Sequence, residues 1–136
     1  MTISFEQATA IIRQHFNAQW ASLTAIALDD VPFDIPNGQT WVRLSIQHAM
    51  GYQATTGAPG SNAFRREGLV TVQIFQPSNQ GGYDARAKAE IATAIFQRPR
   101  VNGVLFHDVT LKEVGNTPDG WYHVNIKAQF EYDTIA

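Results

Sequence analysis

Four dispersed histidines, three neighbouring aspartates, a serine after a glycine, a glycine pair and two arginine pairs are the residues here whose types and spacing can do chemistry. His15, His48, His107 and His123 form neither an HxH nor an HExxH spacing. Zinc needs three or four converging ligands, and only a fold that brought His48 to His107 would begin such a set. Ordinary hydrogen-bonded or exposed histidines are expected instead. Asp29, Asp30 and Asp34 surround a proline turn, where neighbouring acids cap backbone N–H groups; a glycosidase pair needs a fixed separation across a cleft. Ser61 lies outside any GxSxG elbow and has no strand directly before it. Gly81-Gly82 opens a helix and so suits an anion, but without GxGxxG or a GK[ST] ending it reads as a turn needing positive φ. The chain has no cysteine, which excludes disulfides, thiolate metal sites and cysteine nucleophiles. No catalytic, metal or cofactor site is expected.

Binding residues are easier to find. Arg65-Arg66 stands beside a long loop, and Arg98 and Arg100 flank a helix end. Either pair can touch phosphates or an acidic surface, against the plainer reading of solvated charges that compensate a helix dipole. Tyr52, Trp41 and Trp121 are of the types enriched at interface centres, and Trp121 divides between that role and local packing. His123 and Lys127 sit on the polar side of the last strand. The candidate assembly interface is therefore Tyr52, Arg65, Arg66, Trp121, His123 and Lys127.

The elements that must position these residues are legible in order. Ser4 and Gln7 fit a capping box, and Phe5, Ala8, Ile12, Phe16 and Gln19 or Trp20 recur at helical spacing, predicting a helix to about Trp20 or Leu23. Ala25–Leu28 is a short apolar run of strand size. Trp41–Gln47 alternates, with Val42, Leu44 and Ile46 opposite Arg43, Ser45 and Gln47, as a half-buried strand does. Residues 49–63, rich in glycine and small polar types, read as a long loop and the first candidate for partner contact. Leu69–Phe75 is apolar on both faces, which suits an interior strand. The glycine turn then leads to an alanine-rich helix from Asp84 to Phe96, with Ala87, Ile91, Ala94 and Ile95 as its buried stripe. Arg86, Lys88 and Glu90 are expected in solvent, and Pro99 stops the helix. Leu105, His107, Val109 and Leu111 share a face of the next strand, and Asn116–Gly120 makes a hairpin connection. In the final strand Tyr122, Val124, Ile126, Ala128, Phe130 and Tyr132 alternate with His123, Asn125, Lys127, Gln129 and Glu131.

The order α-β-β-β-α-β-β defines an α+β fold: a mostly antiparallel sheet of four to five strands with two helices on one face. At 136 residues, 44% hydrophobic and 16% charged, one domain over 1–136 with a real core is expected. A net charge of -2 gives no global reason to bind nucleic acid. The start Met1–Glu6 lacks the basic and apolar pattern of a signal peptide. No run approaches the roughly 20 apolar residues of a membrane span, so a soluble protein without a membrane partner is expected.

Arg65-Arg66-Glu67-Gly68-Leu69 through Pro77, the glycine turn, the alanine-rich helix ending in Phe96, and Gly120-Trp121-Tyr122-His123-Val124-Asn125-Ile126 together resemble a family of small phage and prophage tail proteins, the lambda-type tail terminators or minor tail protein U. The resemblance runs in order from Phe5 to Tyr132. It implies a structural protein, not an enzyme. Such a protein forms a ring, of six copies, on the head-proximal end of the tail tube, stops tube polymerisation and allows head joining. The implied partners are the chain itself, the tail tube protein and a head-completion protein, with DNA at most passing through the ring without base readout. The implied location is the host cytoplasm during assembly and then the virion tail. The resemblance supplies no motif that assigns contact residues one by one. The alternatives are another neck, connector or tail-completion component, and a small ligand-binding α+β domain or enzyme.

Overall fold

The computed structural model describes residues 2–97 and 100–136; the expected helix stop at Pro99 and the charge at Arg98 lie outside them. Helix α1, Phe5–Trp20, begins at the expected capping box: the Ser4 hydroxyl accepts from the Gln7 N–H and the Gln7 side chain accepts from the Ser4 N–H. It ends where Ala21 turns left-handed, at φ 52°, and returns its N–H to the Asn17 carbonyl. Ala8, Ile12, Phe16 and Trp20 are buried along one stripe, each large side chain contributing about 1.5–3 kcal/mol. Phe5 begins the stripe but remains 57% exposed, its ring set edge-on against His48.

Five strands form one sheet: β1 (Ala25–Leu28), β2 (Trp41–Gln53), β3 (Ala63–Pro77), β4 (Leu105–Asn116) and β5 (Trp121–Ile135), in the spatial order β1-β2-β3-β5-β4. β1 runs parallel to β2, and the other pairs are antiparallel. The interior strand anticipated at 69–75 is indeed the centre, β3. Helix α2 (Tyr83–Phe96) and α1 cover one face, where Val42, Leu44, Val70, Val72, Ile74, Val124, Ile126, Ala128 and Phe130 meet them in the main core. The opposite face is bare except near Trp41. There Phe33, from the connection between β1 and β2, and Trp121 pack on Ala27, Trp41 and Phe75.

Gly68 is the tightest point of the sheet. A Cβ there would stand 2.3 Å from Phe130 Cζ and 2.5 Å from the Gln47 carbonyl oxygen. The Phe130 ring therefore fills the space that a side chain on the central strand would need.

Four expectations change. Residues 49–63 are not one loop: 49–53 continue β2, and β3 begins at Ala63, because the ladder with Phe64–Arg66 resumes past an irregularity between His48 and Gly51. The loop itself is 54–62, held by the buried Asn62, whose side-chain oxygen accepts from the Ala58 N–H and whose backbone pairs with Ala136. On α2 the buried stripe is Ala85, Ala89, Ala92, Ile95 and Phe96, which leaves Ala87, Ile91 and Ala94 exposed. Small alanines surround this helix, so its apolar arc is wider than one stripe and the spacing alone fits more than one phase. Lys88 is not solvated; its side chain is 16% exposed and its ammonium pairs with Asp84 at 2.5 Å. Arg86 does stay in solvent, its side chain 42% exposed, while reaching Glu113 and the Gly81 carbonyl. In β4 a register shift between Phe106 and Val109 breaks the alternation. Phe106 and Val109 face the helices, while Leu105 and His107 turn to the bare face beside Glu131.

Candidate assembly interface

The chemistry-bearing residues are mostly absorbed into structure. Asp29 accepts from the Ser45 hydroxyl and the Ile46 N–H, the capping role expected of it. Gly81 and Gly82 take φ of 79° and 71°, and Gly82, the N-cap of α2, offers no side-chain cap. Gln76, buried at the end of β3, replaces it by accepting from the Ala85 N–H at 2.7 Å. The Asp84 carboxyl is pushed up by burial, but hydrogen bonds from Lys88 and Thr40 outweigh this and hold it below the usual range.

His48 and His107 are not brought together. His48 lies on the helix side, between the Thr9 hydroxyl and the Tyr132 hydroxyl at 3.1 Å each. The Thr9 hydroxyl donates to the Phe5 carbonyl, so it accepts from Nε2–H, and the Tyr132 hydroxyl donates to Nδ1. Burial lowers the His48 pKa and raises that of Tyr132. His107 lies on the bare face, 3.3 Å from Glu131. Among the described residues no group of three or more His, Asp or Glu side chains is placed to hold a metal ion.

The six candidate interface residues fall in separate places. Trp121 and His123 lie at one end of the bare face. Trp121 packs edge-on against Trp41, and His123 sits over Phe75 with Nε2 3.0 Å from the Thr117 hydroxyl. Lys127 is exposed at mid-sheet, in a cross-strand row with Ser45, Thr71 and Thr110. The adjacent row runs Arg43, Gln73, Asn125 and Lys112, and the Asn125 side-chain oxygen is buried without a hydrogen-bond partner. Tyr52 and Arg65 are register partners at the far end, about 40 Å along β3 from the Trp121 level. Arg65 grips Asp133 through two hydrogen bonds of 2.9 and 3.1 Å. That contact, with one to Tyr52, raises the arginine pKa, and the arginine hydrogen bond lowers that of Asp133. Arg66 is on the other face, over Phe64.

Two open surfaces were not singled out from sequence. One is a groove of about 340 Å³ between α1 and β1, lined by Ile26, Leu28, Leu44 and Phe16 with Arg13 at its wall. The other is the solvent side of α2, where Tyr83 is 75% and Ile91 41% exposed. Only the second had a signal, the excess of apolar positions around α2.

By its fold, this is an α+β protein whose helices cover one face of a mixed sheet. Residues 7–130 match the family described as phage tail terminator protein. The chain belongs to that family and is a structural protein of the phage tail. A chain of the virion of a native gene transfer agent particle shares the fold, with TM-score 0.50 and 17% identity over 96% of this chain and 99% of its own. Another solved structure superimposes with TM-score 0.64 and 18% identity over 91% of this chain and 94% of its own. No curated protein matches. Among the described residues no helix is long and apolar enough to cross a membrane.

Proposed function

We propose that this protein is the terminator of a phage tail tube: copies close into a ring of six on the head-proximal end, stop tube growth and present a surface for head joining. The match of residues 7–130 to the terminator family carries this reading. The shape of the subunit supports it. A closed ring needs two different, mutually complementary surfaces on each copy, and this sheet has two distinct ends, β1 and β4, with a bare face between them. The bare face, with Arg43, Lys112 and Lys127 at mid-sheet and Arg65, Glu67, Glu131 and Asp133 toward its far end, remains for the tube, the head-completion protein or the lumen of the ring. The candidate residues Tyr52, Arg65, Arg66, Trp121, His123 and Lys127 belong to this proposal as contacts with those neighbours. Mature virion tails are the protein's final location, and the work is structural, without a catalytic step.

The test is a polymerisation assay with the cognate tube protein. Adding this protein to growing tubes should cap their length in proportion to its concentration. Tubes that lengthen at an unchanged rate would contradict the terminator role.

A further inference from the structure

Two apolar surfaces are left open in the helical layer, one at the β1 edge and one on the solvent side of α2. Helix α1 packs on β2 but leaves the helix-side residues of β1, Ile26 and Leu28, as the floor of the groove beside Phe16 and Leu44. The Nε of Arg13 is buried at this groove without a hydrogen-bond partner, and no ion pair among the described residues includes Arg13. On its solvent side, away from the sheet, α2 exposes Tyr83, Ala87, Ile91 and Ala94 at helical spacing. Its other charges are engaged, Arg86 with Glu113 and Lys88 with Asp84, while Glu90 is exposed and enters no ion pair among the described residues. Each surface thus combines an apolar strip with one uncompensated charge, and the two charges are opposite.

We propose that the solvent stripe of α2 in one copy docks into the α1–β1 groove of the next copy, with Glu90 meeting Arg13. This rests on the ring reading above and names the contact that would build it. A helix ridge entering a groove between a helix and a strand follows the ordinary logic of helix packing. The two surfaces differ, one a groove at the β1 edge and the other a ridge on α2, so their union is head-to-tail. It repeats from copy to copy instead of ending at a two-fold dimer. Opposite charges at the contact fix its register and disfavour groove-to-groove and stripe-to-stripe pairing.

The absence of cysteine makes disulfide trapping clean. Full-length Gln14→Cys, at the groove wall, and Ile91→Cys are mixed in the presence of tail tubes under mild oxidation, with Lys112→Cys on the bare face as the collision control. The expected result is a mixed Gln14→Cys–Ile91→Cys dimer well above the control, and a ladder of higher species from the double variant. Glu90→Arg should slow trapping about tenfold by placing like charges together, and adding Arg13→Glu should restore it. Dimers of Ile91→Cys with itself alone, or trapping no faster than the control while rings are visible by electron microscopy, would overturn the docking and leave the ring reading standing. Absence of both rings and trapping would remove both.

Discussion

Replacing Gly68 by alanine is the sharpest test of how the sheet is packed. The added methyl would meet Phe130 Cζ at 2.3 Å, Phe130 Cε1 at 2.7 Å and the Gln47 carbonyl oxygen at 2.5 Å. Carbon pairs rest at about 3.5–4.0 Å, so more than 1 Å must be recovered at the ring while the oxygen on the other side is also well inside contact distance. The ring is 1% exposed and bounded by Tyr132, His48 and Phe106, while the oxygen belongs to the backbone of the neighbouring strand. Neither side can yield cheaply, so the cost belongs at or above the upper end of the usual overpacking range, about 3 kcal/mol. For 136 residues that corresponds to a fall in Tm of about 10 °C. Urea unfolding should show the lower midpoint with an unchanged m-value. Phe130→Leu in the alanine background should recover part of the loss, because it removes the ring clash but not the clash with the oxygen. A Gly68→Ala protein within about 0.5 kcal/mol of wild type, the range of ordinary surface changes, would refute the packing argument.

Other outcomes follow from single contacts. Gln76→Leu leaves the Ala85 N–H without its acceptor and should cost about 1–3 kcal/mol in urea unfolding; no loss would mean that Gly82 suffices as cap. Burial lowers the His48 pKa below its ordinary 6.5, so the unfolded chain binds the proton first on acidification. The contribution is complete above 6.5 and diminishes as pH falls through that value toward the folded pKa. Melting temperatures between pH 8 and 5 should therefore decline less in His48→Gln than in wild type, and parallel slopes would remove the histidine from the account. Replacing Thr56–Gly60 by a two-residue turn should preserve the fold by circular dichroism, since closure depends weakly on loop length. Asn62→Ala, which loses the bond from Ala58, should cost about 1–2 kcal/mol. Arg65→Ala should cost no more than about 1 kcal/mol, because the pair with Asp133 is a third exposed on both sides; an assembly defect in that variant would then report on contacts and not on folding.

The alternating strands and the first helix were legible because each buries one face against one partner. Val42, Leu44 and Ile46, or Val124 to Tyr132, admit only one phase. Helix α2 was misphased because alanine is nearly as small outside as inside, so Ala87 and Ala89 carry the same local signal and only the sheet beneath distinguishes them. The bulge near His107 was invisible because a one-residue irregularity reverses a strand's faces without changing its composition. The extension of β2 through Gly51 was hidden for a related reason. Its pairing comes from the β3 ladder, not from its own apolar pattern. Among interface residues, sequence located polar and aromatic side chains but not their faces, so Arg66 and Lys127 were grouped although the sheet lies between them. The groove beside α1 could not be read at all, because its walls come from α1, β1 and β2 and meet only in the fold.

The central claim is termination, and electron microscopy of tail tubes with the bound, labelled protein tests it most directly. The account predicts one ring of density at a single end of each tube, the end that receives the head, and none along the shaft. Label distributed along the tube length, or at the opposite end, would contradict it.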